Sequence, residues 1–209
     1  EVRNFYYLQD GYYKIKRGMA RTHDLLFALR CNGEQASGSI QLFNTPPLIR
    51  VDPKLFKETG NLSSLASRGI EGVEEYNSWV DESLQTLEED RVEKSAYGMF
   101  NFGDWWGERR YNWGDMEYDS PYGFILEYLR GGSSRWFALA RQATWHLADV
   151  DTCHYHTNSH KVGRQYLHSL GHVGDYYPDG YLPGAIDREA MSWTHTWVEG
   201  LFLYSLLTG

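Results

Sequence analysis

Cysteine is scarce: Cys31 and Cys153 are the only two in 209 residues. Two cysteines make no disulfide framework, and their number leaves open whether they pair. Basic residues are outnumbered, twenty Lys and Arg against twenty-eight acids for a net charge of −8, and they gather into no patch. A phosphate backbone calls for a basic face, so nucleic acid is not the expected partner. No run approaches the roughly 18 apolar residues of a membrane span, so no membrane segment is expected. The GxSxG elbow, the P-loop, GxGxxG, HExxH and the EF-hand pattern are all missing, which removes the chemistries those spacings serve. The opening EVRNFYYLQD is polar and aromatic and does not read as a signal peptide. The first residue is not Met and the chain stops at LLTG, so both ends read as cuts in a longer protein.

Aromatics, by contrast, are abundant at 16 %, with sixteen Tyr and eight Trp. That exceeds what one small core needs, and Tyr and Trp carry a polar handle suited to gripping polar ligands. Apolar spacing predicts helices over 11–30, ending before Asn32-Gly33, and over 71–94, where Val73, Tyr76, Val80, Leu84 and Leu87 share a face. Residues 33–70 read as irregular, with a turn at Asn44–Pro47. PYGFILEYLR, 121–130, starts with Pro and stops at Gly131-Gly132. Ser133 or Ser134 can cap the next helix, which runs to Val150. The last helix is expected over 190–209.

ILEYLRGG and LFLYSLLTG repeat a pattern of apolar helix, Tyr, Leu and a Gly stop. Helix pairs of this kind build toroids and solenoids, although an ordinary bundle also uses them. The expected fold is all-α, an (α/α) toroid of helical hairpins, with residues 1–209 forming one partial domain of a larger multidomain protein. Helices 121–130 and 133–150 are joined by about two residues and are therefore antiparallel neighbours. The connection entering the first, 95–119, and the one leaving the second, 151–190, then lie at one rim. Long connections on a rigid scaffold are usually functional.

The first connection holds FGDWWGERRYNWGDMEYD, residues 102–119, with six aromatics, five acids and two arginines. Trp105, Trp106 and Trp113 offer flat faces to the C–H faces of sugar rings. Asp104 and Asp115, with Glu108 and Glu117, can accept hydrogen bonds from hydroxyls, and Arg109 and Arg110 can fork onto a carboxylate. The plainer alternative is that the aromatics pack on the helix ends and Arg–acid pairs tie the loop down. The second connection begins DVDTCHYHTNSHK and continues HSLGHVGDYYPDGY, and seven of the eight histidines lie between 146 and 195. Clustered imidazoles suit general acid–base work near neutral pH. Isolated ones, such as His23 and His146 on their helices, read as structural. Asp149, Asp151, His154, His156 and His160 match no standard metal spacing, so no metal ligand is assigned. A divalent cation such as calcium is the one cofactor the residues would admit. Gly171 and Gly174 let the backbone turn sharply around His172, beside Tyr176. His195 falls in the expected first turns of the last helix, between Trp193 and Trp197, where an anion would be favoured.

Four ordered blocks, GMFNFGDWWGERRYNWGDMEYD, WHLADVDTCHYH, HSLGHVGDYY and SWTHTWVEGLFLYSLLTG, together resemble the central region of the exo-rhamnogalacturonan lyase and YetA-like family. The resemblance covers residues 97–209 well and the first part only loosely. It implies a toroid flanked by β-rich domains that are missing here. It also implies β-elimination on a uronic-acid polysaccharide, rhamnogalacturonan-type pectin, by a secreted or periplasmic protein. Elimination needs the uronate carboxylate neutralised, a base for the C5 proton and an acid for the leaving O4. Chemistry alone gives the first task to Arg109 or Arg110, or to a metal, with Arg109 taken as the catalytic one, and the second to His172, with His195 and Tyr111 assisting. Arg110, Trp105, Trp106, Trp113, Asp104, Asp115, His154, His156 and Tyr176 are then expected to bind substrate. Two rivals remain: a glycoside hydrolase using Asp104 with Asp115 or Asp149 with Asp151, and a non-catalytic carbohydrate-binding domain.

Overall fold

A computed structural model describes residues 8–9, 12–13, 18–27, 29, 37–48, 50–60, 62, 65–93, 96–97, 102–105, 114, 116–166, 191, 193 and 196–209. These residues are mostly helical. The α-helices are α1 (Ser37–Asn44), α2 (Pro53–Glu58), α3 (Glu74–Glu93), α4 (Ser120–Leu129), α5 (Ser134–His146) and α6 (Glu199–Thr208). A two-stranded antiparallel ladder, β1 (Leu8–Gln9) and β2 (Tyr12–Tyr13), flanks Asp10-Gly11, a favoured hairpin-turn dipeptide.

Helix α3 carries Glu74 and Glu75 in its first turn and Arg91 in its last, matching the helix dipole at both ends. It buries Val80 and Leu84. Helix α4 is capped by Asp119, in the left-handed region at φ 56°, whose carboxylate accepts from Tyr122 N at 3.3 Å. Ser133 caps α5 by accepting from Arg135 N at 3.2 Å. One apolar cluster joins α3, α4 and α5 through Val80, Leu84, Ile125, Leu129, Trp136 and Ala140, with Leu203 and Tyr204 of α6 packed against it. The rings of Tyr128, Phe137 and Tyr204 follow one another at 5.0 and 5.9 Å between centroids.

Helix directions follow from cross-contacts. Asn77 near the start of α3 bonds Arg130 at the end of α4, so these two run antiparallel. Gln85 and Arg91 reach Arg135 and Gln142 in the same order, so α3 and α5 run parallel. Gly200 in the first turn of α6 donates to Asp119 at the start of α4 (3.0 Å), so these two begin together. The four helices therefore alternate in direction. The end of α3, the start of α4, the end of α5 and the start of α6 share one rim.

Four expectations are corrected. The helix over 11–30 is not formed in its described part: Tyr12–Tyr13 is a strand and residues 18–27 are non-helical. Their backbone pairs elsewhere, since Ala20 N donates to Asp149 O (2.9 Å) and Gly18 O accepts from His154 N (2.8 Å). Gly18 lies at φ 89°, and a Cβ there would run into Tyr155 O and Cys153 Sγ. Residues 33–70 hold two short helices, α1 ending just before Pro46-Pro47 and α2 starting on Pro53. The α5 helix stops at His146, and Leu147–Asp151 is a π-helical turn that Thr152 closes by donating its Oγ1 hydrogen to Leu147 O (2.8 Å). The last helix begins at Glu199, because Thr196–Val198 are not helical. Among the described residues no helix is long and apolar enough to cross a membrane. Cys153 is a buried free thiol that donates to Tyr155 O; Cys31 lies outside the described residues.

Candidate functional site

The shared rim is where both long connections meet the helices, and a buried charge cluster fixes them there. Asp104 comes from the first connection, His146 from the last residue of α5, and Asp151 from the end of the π turn. The His146 Nε2 lies 3.1 Å from Asp151 Oδ1 and 3.5 Å from Asp104 Oδ2, and all three side chains are fully buried. The π turn makes this possible: one extra residue in the turn brings position 151 under position 146. Burial by itself pulls the imidazole pKa down. The charges of Asp151 and Asp104 outweigh that pull and hold His146 above its ordinary 6.5, with Arg21 opposing them. Shielded from solvent, the cluster positions the two connections.

Close packing supports it. Gly103, at φ 102°, lies so near α5 that a Cβ would overlap Gln142 O and crowd His146. Asp149 accepts from both Thr22 N and Thr22 Oγ1, holding the 18–27 segment on the same turn.

The expected ligand residues divide between the interior, the surface and positions not described. Asp104 faces inward to His146. Trp105 is half-buried and packs on the Met116–Ala143–Leu147 cluster. Gly114 N donates to Trp105 O (2.8 Å), so the ends of the 105–114 stretch meet. Trp105 also borders a cleft of about 380 Å3, lined further by Trp79, Glu82, Asp90, Arg91 and Asp104. His154 is exposed, with Nε2 2.7 Å from Ala148 O. His156 is half-buried and accepts from Asn158 N at its Nδ1 (2.9 Å), so the proton of the neutral ring sits on Nε2. His172, His195, Tyr111, Arg109, Trp106, Arg110, Trp113, Asp115 and Tyr176 lie outside the described residues.

The second connection doubles back between 151 and 166: Cys153 N donates to Arg164 O, Gly163 N to Cys153 O and Tyr166 N to Asp151 O, at 2.8 to 2.9 Å. Gln165 then grips the approach to α6 twice, its Nε2 donating to Trp197 O (2.9 Å) and its Oε1 accepting from Trp197 N (2.8 Å). Among the described residues no three His, Cys, Asp or Glu side chains converge as a metal site.

Reasoning from sequence read His146 as structural, but it gave no sign that the residue joins the two connections. The only local trace was WHLADVD, a histidine followed five residues later by an acid, and that spacing pairs only in a π turn. Compared with protein-family models the chain matches none, and no curated protein matches it either. Fold and site together define a class: a helical protein of alternating helices that presents two long connections at one rim, joined through a buried histidine between two carboxylates.

Proposed function

We propose that the chain is part of an (α/α) toroid of a secreted or periplasmic polysaccharide lyase that cleaves a uronic-acid polysaccharide, of rhamnogalacturonan type, by β-elimination. The observation that carries this reading is the rim. Helices of alternating direction bring the aromatic, Arg-rich connection and the His-rich connection together, and Asp104, His146 and Asp151 tie them. Arg109 neutralises the uronate carboxylate and so acidifies the C5 proton. His172 takes that proton, and His195 and Tyr111 assist proton delivery to the departing O4. Trp106 and Trp113 support ring faces, Arg110 joins the carboxylate clamp, and Asp115, His154, His156, Tyr176 and the exposed edge of Trp105 contact hydroxyls. No step requires a metal, and calcium is the cation to test.

Hydrolysis is the less favoured reading, because three of its four carboxylates are engaged inside the protein, Asp149 with Thr22 and Asp104 and Asp151 with His146; Asp115 lies outside the described residues. The deciding experiment treats a panel of acidic polysaccharides with the full-length protein, with and without a chelator. Elimination yields an unsaturated uronate that absorbs in the ultraviolet. New reducing ends without that absorbance mean hydrolysis, and binding without cleavage means a carbohydrate-binding domain. His172→Ala is expected to abolish the absorbance while binding persists, and near-full activity in that variant refutes the base assignment.

A further inference from the structure

Two hollows of the protein, one beside α3 and one along α5, differ in charge. The cleft beside Trp105 presents the exposed acids Glu82 and Asp90 against Arg91, while Asp104 in its lining is turned to His146. Along α5 a groove of about 500 Å3 is lined by Arg21, Arg135 and Arg141, with Asp24 the acid in its lining. Asp24 pairs with Arg141 and Glu88 with Arg135. That leaves a concave surface with three arginines to two acids, a small positive excess in a chain of net charge −8 and one that draws anions. Its volume falls within the range of small-ligand sites.

The groove follows α5 lengthwise. Arg135, Ala138, Arg141 and Trp145 stand three or four residues apart, on one face, over roughly 15 Å of helix. The opposite wall brings Asn44, Thr45 and Leu48, and Phe102 lines the groove as well. Arg141 pairs with Asp24 at 3.1 Å, a bond that uses part of a guanidinium with five N–H donors. Arg135 leans on Glu88 of α3 and also remains in the groove wall. Trp145 is 37 % exposed, a large ring surface for a helix packed on a core. A second hollow of about 570 Å3 continues past Arg141 and Trp145 toward Phe43, Tyr204 and Leu207.

We infer that this groove along α5 binds a short uronate oligosaccharide, with Arg141 and Arg135 on carboxylates, Trp145 against a ring face, and Asn44 and Thr45 on hydroxyls. The inference rests on the reading of the ligand as an acidic polysaccharide and adds a second place where the chain holds it. The acidic cleft beside Trp105 would repel a carboxylate, whereas the groove attracts one. Arginine fits because its planar fork matches a carboxylate and its charge persists at every physiological pH.

Titration calorimetry of the full chain with a galacturonate oligosaccharide, and with a neutral oligosaccharide of equal length, tests this. Arg141→Gln and Trp145→Ala should each weaken acidic binding about tenfold or more. Ala138→Glu, an exposed helix position between the arginines, removes no contact and should weaken acidic binding as well, which guards against loss through misfolding. Unchanged affinity in Ala138→Glu and Arg141→Gln overturns the groove, as does equal binding of the neutral sugar or no binding by the parent chain. Binding that depends on Arg141 without any ultraviolet-absorbing product supports the groove and refutes the lyase reading. Product formation that is indifferent to all three variants does the reverse.

Discussion

His146 sits with no exposed surface between Asp151 and Asp104, and its raised pKa gives stability a defined pH dependence. A group whose native pKa exceeds the unfolded value contributes fully below the unfolded pKa, here about 6.5, and loses that contribution as pH rises through the native value. The urea midpoint should therefore fall on the alkaline side of pH 6.5. His146→Gln should flatten that fall, and a midpoint that is level in the parent protein would contradict the assignment. Removing one partner leaves the buried imidazole with a single carboxylate, so Asp151→Ala should cost about 3–5 kcal/mol by chemical denaturation. The sequence shows each of these residues but not their meeting, because Asp104 and His146 are 42 positions apart.

At the level of elements, Asp119 serves two helices at once. It caps α4 through Tyr122 N and receives Gly200 N from the first turn of α6. Asp119→Ala should cost about 1–2 kcal/mol, read as a lower melting temperature. Gly200→Ala should cost about 1–3 kcal/mol, because the added methyl would overlap the Asp119 carboxylate and the Tyr122 backbone; an unchanged melting temperature would mean α6 can move away from α4 freely. Helices α4 and α5 were legible from Pro121, Gly131-Gly132 and Ser133, since those signals act within one turn of the chain. Helix α3 was legible from its apolar face. The stretch 11–30 misled because its apolar spacing suits a helix, while in its described part Ala20 N is taken by Asp149 O and Gly18 O by His154 N. Helices α1 and α2, of eight and six residues, are too short for periodicity to stand out.

Over the whole molecule, the rim and the opposite end are each held by a buried charge network. Away from the rim, Glu127 accepts twice from Arg130 Nη1, at 2.8 and 2.7 Å, and from Tyr76 (3.0 Å). Arg130 also donates to Ala66 O and Asn77 Oδ1. This network locks the start of α3 to the end of α4, and Arg130→Ala should cost about 3–5 kcal/mol by urea unfolding while leaving ligand preference intact. At the rim, Gly103→Ala should do the opposite. Its methyl would push the aromatic connection off α5, and binding of an acidic oligosaccharide should fall more than stability does. Equal binding in that variant would show that the connection's seat on α5 is irrelevant to the ligand.

The sequence by itself determined the helical character, the α4–α5 hairpin and the loading of two connections with Trp, Arg and His. These are local properties, written in spacing, caps and composition. Only the tertiary structure decided that α5 breaks into a π turn at His146 and that Asp104 faces inward. It also decided that an arginine-lined groove runs along α5 while an acidic cleft lies beside α3. Each depends on charges brought together from positions far apart in the chain, and neither periodicity nor propensity records such meetings.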